Sequence, residues 1–211
     1  MYADAGPSSG PNEPMRLEVA TVPRGSTYLH ANPTGAHVLV HGGAARAAIE
    51  AIDRGIANLE APYSSQESSA VLEALGQLFM CAFMANHDVF SSRPGQGEAT
   101  TASAAGVVVR GSTACMLLAG TGRVHRFNRS GLVELEAPTH RAAIGHRCRY
   151  DDRPLTTSWQ RGDVLVLSCG AVMDAPELIL DVLASFNLAT AARRIANQTP
   201  DAAGVVLVRW T

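Results

Sequence analysis

Apolar positions in this chain follow two rhythms: short runs closed by Gly, Pro or Asn, and longer stretches in which they recur every three or four residues. The short runs Leu17–Val22, Ser26–Leu29 and His37–Val40 predict three strands, with Asn32-Pro33-Thr34-Gly35 as a turn and Gly42-Gly43 closing the third. Ala44–Asn58 and Ser65–Phe90 carry the helical period, Ala48, Ile52 and Ile56 marking one face of the first. In the second, Val71, Leu72, Leu75, Leu78, Phe79, Ala82 and Phe83 form a broad stripe; Leu72, Leu75, Phe79 and Phe83 are expected in the core rather than on a partner-binding face. Ser91–Glu98 is a Gly/Pro loop. Thr100–Val109 and Thr113–Ala119 then predict a hairpin about Arg110-Gly111-Ser112, and Arg123–Asn128 with Leu132–Leu135 a second about Arg129-Ser130-Gly131. His140–Trp159 has weak periodicity. Val164–Leu167 is a continuous apolar run behind a Gly-Asp turn, hence a buried strand. Helices are expected near Ala175–Phe186 and Ala189–Thr199, and a last strand over Gly204–Trp210.

Helices set between groups of hairpins argue for an α+β fold with antiparallel sheets, a β-sandwich flanked by helices, and not for βαβ repeats. The chain has 211 residues, 46% hydrophobic and 17% charged, enough for a real core. Residues 1–14 read as a disordered tail, rich in Pro, Ser and Gly, and 15–211 as one domain. A net charge of −2 offers no field for nucleic acid or an anionic membrane. All 17 basic residues are Arg. No segment is expected to cross a membrane, which takes roughly 18 or more apolar residues. The cysteines Cys81, Cys115, Cys148 and Cys169 form no CxxC pair and read as small hydrophobes, with Cys148 between two arginines the candidate for a lowered pKa. Together these place the protein in the cytoplasm. The one GxSxG match, Gly6-Pro-Ser-Ser-Gly10, lies in the polar tail and not between a strand and a helix, and GxxxxGK and a strand-to-helix GxGxxG are absent, which removes the serine-hydrolase, P-loop and dinucleotide readings.

The chemistry turns on Arg161-Gly-Asp-Val-Leu-Val-Leu-Ser-Cys-Gly170. It resembles the strand ending in Ser-Asp-Gly of the metal-dependent protein phosphatases of the 2C type. Further blocks follow in the same order. Arg24-Gly-Ser-Thr-Tyr-Leu29 stands where that family has an arginine followed by acids, and His41-Gly42-Gly43-Ala44 where it has Asp-Gly-Met-Gly-Gly-His. Ala99-Thr-Thr-Ala102 matches its Gly-Thr-Thr-Ala, and Ala119-Gly-Thr-Gly-Arg-Val-His-Arg126 its Gly-Asp-Ser-Arg hairpin. Asp201-Ala202 stands for its Asp-Asn.

The resemblance implies the family's two-sheet sandwich, with the flap between His140 and Leu155 missing. In that family aspartates hold a pair of Mg²⁺ or Mn²⁺ ions that activate water against a phosphoester, and such ions need clustered carboxylates. At the vestigial metal positions this chain has His41, Gly42, Cys169 and Asp201, and the hairpin aspartate is Thr121. One aspartate cannot balance four positive charges. The resemblance is therefore to a degenerate member, a pseudophosphatase with no catalytic residues, no metal and no cofactor. It would act by binding another protein (a kinase, a phosphoprotein or an active phosphatase) in bacterial signalling or secretion.

Two alternatives stand beside it: a divergent metal-dependent serine/threonine phosphatase with a remodelled site, and a structural scaffold subunit. His41, Cys169 and Asp201 are also a donor set that zinc accepts, against the plainer reading that they fill a dead pocket. Arg24 matches the family's phosphate-contacting arginine, with a structural surface role as its counterpart. His140 and Arg123 are read as structural. The sequence names no oligomeric state.

Overall fold

The computed structural model describes residues 15–25, 27–31, 35–92, 100–135, 141–147, 154–169, 183–184, 187–198 and 204–211. The expected tail at 1–14, His140, Cys148, Asp201, Ala202 and nearly all of the helix expected over 175–186 lie outside them. The described strands are β1 (Leu17–Pro23), β2 (Thr27–Ala31), β3 (Ala36–His41), β4 (Ser103–Arg110), β5 (Thr113–Ala119), β6 (Gly122–Asn128), β7 (Gly131–Glu134), β8 (Leu155–Ser158), β9 (Val164–Cys169) and β10 (Gly204–Trp210). The helices are α1 (Ala45–Ile56), α2 (Ser68–Ser92) and α3 (Leu188–Gln198).

The strands form two five-stranded sheets, β1-β10-β9-β6-β7 and β2-β3-β4-β5-β8, in which every pairing is antiparallel. Three apolar layers hold them together. Leu39, Val107, Val109, Met116, Leu165, Leu167 and Cys169 fill the space between the sheets. Val38, Val40, Val108 and Leu117 pack under α1 and α2. Val164, Val166, Val205 and Leu207 pack under Leu188, Ala192 and Ile195 of α3. Both faces of β9 are thereby covered, which is why its sequence is a continuous apolar run instead of alternating. In α1, Ala48, Ile49, Ile52 and Ile56 turn inward at three- and four-residue spacing. Gly55 lets α1 approach α2: a Cβ there would stand 2.2 Å from Cys81 Sγ.

Four expectations need correction. The weakly periodic stretch holds β8, whose Leu-Thr-Thr-Ser is half exposed because it is an edge strand lying against β5 alone. β4 starts at Ser103 and not at Thr100, since Ala102 pairs instead with Ile144 as an isolated bridge. α2 extends through Ser91 and Ser92, where a loop is expected; Ser92 Oγ caps the Asp88 carbonyl at 2.7 Å. The fourth concerns the stripe on α2. Leu72 is 68% and Phe83 40% exposed, while Leu75 and Phe79 are partly buried. The buried face is made of Ala74, Leu78, Cys81, Ala82, Ala85 and Val89, smaller residues that allow close packing on α1 and the sheet. Because α2 is apolar nearly all round, it is also long and apolar enough to cross a membrane, with mean hydropathy 1.4 over its most apolar window. The expectation that no segment meets that test does not hold, although a third of that window is buried against the rest of the protein.

Candidate functional site

Of the sequence-predicted positions, His41, Gly42, Thr121 and Cys169 lie at one end of the sandwich, where β3, β9 and the β5–β6 turn finish, while Asp201 lies outside the described residues. Strand parity decides which way each side chain faces. On β3, Val38 and Val40 face the helices, so Leu39 and His41 face the opposite sheet. The β2–β3 register places Thr27 opposite His41, and Thr27 Oγ1 lies 3.2 Å from His41 Nδ1. Partial burial lowers the His41 pKa. Ser103 follows across β4, paired with His41, and its Oγ accepts hydrogen bonds from the Thr121 backbone N (3.0 Å) and Thr121 Oγ1 (3.1 Å). The rim is a chain of neutral hydroxyls and one imidazole.

Gly42 contributes backbone alone. Its φ of +122° and the Thr101 carbonyl, 2.8 Å from where a Cβ would stand, leave no room for a side chain. Cys169 does not line an opening. It is 0% exposed, its Sγ lies 4.0 Å from the Leu39 carbonyl oxygen, and burial pushes its thiol up to about 12. The sheets touch here. Gly122, paired with Cys169, lies so close to β4 that a Cβ would fall 1.8 Å from the Ala104 carbonyl. Arg141 Nη1 donates to the Gly122 carbonyl from outside. Gly204 lies against Thr27 and Leu39, a Cβ there falling 3.1 Å from Thr27 Cγ2.

The donors among the described residues do not fit a pair of hard dications. Thr27, His41, Ser103 and Thr121 carry no carboxylate, and the thiol at 169 is held protonated inside the core. Among the described residues no three His, Cys, Asp or Glu side chains come together as a metal site. Arg24 is engaged elsewhere: its Nη2 donates to Asn197 Oδ1 of α3 at 3.2 Å. Arg123 forms an ion pair with Glu134 at 3.5 Å across the β6–β7 hairpin. Thr27 and Ser103 were not among the sequence candidates. The turn signal at Asn32–Gly35 would set Thr27 opposite Val40, one residue off the observed pairing with His41, so the sequence carried no signal for Thr27.

No protein-family model matches the chain, and no curated protein sequence does. Solved structures do. PppA, described as a key regulatory component of T6SS in Pseudomonas aeruginosa, superposes with a TM-score of 0.70 at 16% identity, covering 94% of this chain and 99% of its own. The catalytic domain of the serine/threonine protein phosphatase PstP, in complex with two manganese ions, gives 0.70 at 15% identity over 93% and 98%. A serine/threonine phosphatase of S. agalactiae gives 0.69 at 15% identity over 92% and 99%. The whole length of each is matched, so the chain has the fold of the metal-dependent, 2C-type protein phosphatases.

Proposed function

We propose that this protein is a catalytically inactive relative of the 2C-type phosphatases, a single domain over residues 15–211 that works by binding another protein in bacterial signalling or secretion. One observation carries the reading. Cys169, which the resemblance places at a metal-holding aspartate, is a fully buried thiol raised to about 12. A carboxylate and its dication would need solvent or a polar cleft at that point, and the sheets meet there through Gly122 and Ala104. His41, Gly42 and Asp201 are on this reading vestiges of the site. Arg24 is retained for its contact with α3 or for a phosphate on the partner. The regulatory role described for PppA supports a partner protein in place of a substrate. Three buried free thiols among the described residues support a reducing, cytoplasmic setting.

The PstP likeness keeps one rival in view, a divergent metal-dependent phosphatase. Titration with Mn²⁺ followed by calorimetry separates the two. No saturable binding is expected in the micromolar range, a scale of about −8 kcal/mol, and hydrolysis of an aryl phosphate should equal the buffer blank with Mg²⁺ or Mn²⁺ present. Metal-dependent turnover by the unmodified protein, abolished in Asp201→Ala, overturns the proposal.

A further inference from the structure

Strand parity sets what fills the space between the sheets. On β6 the residues turned toward that space are Val124, Arg126 and Asn128; on β9 they are Cys169, Leu167 and Leu165, with Asp163 next in line just before the strand. The layer therefore turns from apolar to polar as it nears the end of the sandwich away from Cys169. Polar residues at inward positions break the pattern that specifies a core, and such breaks collect at functional sites. Here they open a pocket of about 270 Å³, lined by Arg126, Asn128, Ser158, Trp159, Gln160 and Asp163. Gly122, paired with Cys169, is four residues from Arg126 along β6, so ~13 Å of strand separates this pocket from the vestigial metal positions.

Two opposite charges line the pocket, and each is held by a backbone group instead of by the other. Arg126 Nη1 donates to the Ser158 carbonyl, and its Nε is buried with no hydrogen-bond partner among the described residues. Asp163 is 4% exposed; its Oδ2 accepts from the Gln160 backbone N at 3.0 Å, which leaves Oδ1 to the pocket. Asn128 Oδ1 accepts from the Ser130 backbone N at 2.8 Å, so toward a ligand this side chain offers donors. Trp159 is a fixed wall: Nε1 donates to the Gly111 carbonyl at 3.0 Å, and the ring leans on Trp210 with centroids 5.6 Å apart.

We infer that this pocket binds a free α-amino acid, its carboxylate on the Arg126 guanidinium and the Asn128 amide, its ammonium on the Asp163 carboxylate. Charge selects that class. Opposite charges set apart in a poorly solvated place are each under-compensated, and a ligand carrying both signs on one carbon offsets both at once. A plain anion such as phosphate would suit Arg126 and set a second negative charge beside Asp163; a plain cation would meet the converse at Arg126. Size agrees, because sites for drug-sized ligands run from about 300 to 1,000 Å³ and this one lies just below them. The exposed Arg129 and Arg161 follow directly on Asn128 and Gln160, so the approach to the pocket also favours a ligand that bears a carboxylate.

Thermal unfolding of the full chain with the common L-amino acids one at a time, each at about 10 mM, tests this, followed by calorimetric titration of those that act. The expected result is a saturable rise in Tm with at least one of them and a dissociation constant below about 1 mM. Blocked forms of the same amino acid separate the two charges. The N-acetyl form lacks the ammonium and the amide form lacks the carboxylate, and each should bind at least ~10-fold more weakly. Asp163→Asn, whose amide oxygen can still accept from Gln160, should weaken binding to the same extent, as should Arg126→Lys, which keeps the charge and loses the planar fork. The blocked ligands are tested on the unmodified protein, so a variant that fails to fold does not remove the test.

If no amino acid binds more tightly than about 1 mM, the inference is overturned. Equal binding of the N-acetyl form also overturns it and leaves a plain anion site at Arg126. Binding indifferent to both substitutions places the ligand elsewhere and overturns it as well. The inference stands apart from the proposed function: metal-dependent hydrolysis at the other end of the sandwich would remove that reading alone, and a chain that takes no amino acid would remove this one alone.

Discussion

At the rim of the sandwich and on the outer face of α2, polarity and packing are exchanged relative to what a hydrolase would need. At the rim, where water and charge would have to gather, Cys169 is sealed, Gly122 rests on Ala104, and Thr27, His41, Ser103 and Thr121 bring no carboxylate. On α2, where solvent has full access, the side chains are leucine, methionine and phenylalanine. Among the described residues the first region is closed around Cys169, and the second is left exposed. A fold can keep its strands while the role of its cleft passes to another face, because sheet register and core packing depend on the strands and not on the residues that end them.

The largest effect is expected from forcing the rim back toward charge. In Cys169→Asp the carboxyl replaces a thiol that touches Leu39 and is covered completely. An uncompensated buried charge of this kind costs about 3–5 kcal/mol. Burial raises the carboxyl pKa in the folded state, so the cost should be small at pH 4 and rise with pH as the unfolded chain ionises. Urea unfolding at pH 4 and pH 8 measures both terms. A loss below about 1 kcal/mol at pH 8, within the range of surface substitutions, would show that the rim is open to solvent and not sealed.

A smaller effect sharpens the contrast between a buried imidazole and a half-buried one. His125 on β6 is 4% exposed, its Nδ1 has no hydrogen-bond partner among the described residues, and burial lowers its pKa to about 4 despite Glu134 at 3.9 Å. A folded pKa below the unfolded value means that the contribution is complete above about pH 6.5 and is lost as pH falls through about 4. His125→Phe should remove that acid-labile part, on the order of 2 kcal/mol, leaving a flatter stability profile in urea melts between pH 7 and pH 4. His41→Ala should leave the profile nearly unchanged, because His41 is less buried and bonded to Thr27. If both variants flatten the curve equally, the rim is as closed as the β6 face and His41 is a core residue.

How much of this was legible in the sequence depended on the scale of the signal. β9 and β10 are announced by runs that no helix of that length would carry, and the hairpins by Gly111 and Gly131, both at positive φ. β8 was not, because Leu155 is its single apolar residue and edge pairing leaves no period to read. The block order led to the right fold, but not to the inward turn of Cys169, which is decided by the parity of β9 and the closeness of Gly122 to Ala104. The exposed side of α2 was misassigned for a related reason. With apolar residues at nearly every angle, the period cannot say which arc faces the sheet, and the smaller residues won the interior because α1 approaches closely at Gly55.

That last point gives the smallest prediction and the one that tests the open face directly. Gly76 is a glycine inside a 25-residue helix with nothing near its Cβ position. In the single chain it is a cost without a compensating contact, since glycine in a helix interior is about 0.5–1 kcal/mol worse than alanine. Gly76→Ala should therefore raise stability by that amount in urea unfolding. A loss would mean that this part of α2 is already covered within the single chain, and the contrast with the sealed rim would disappear.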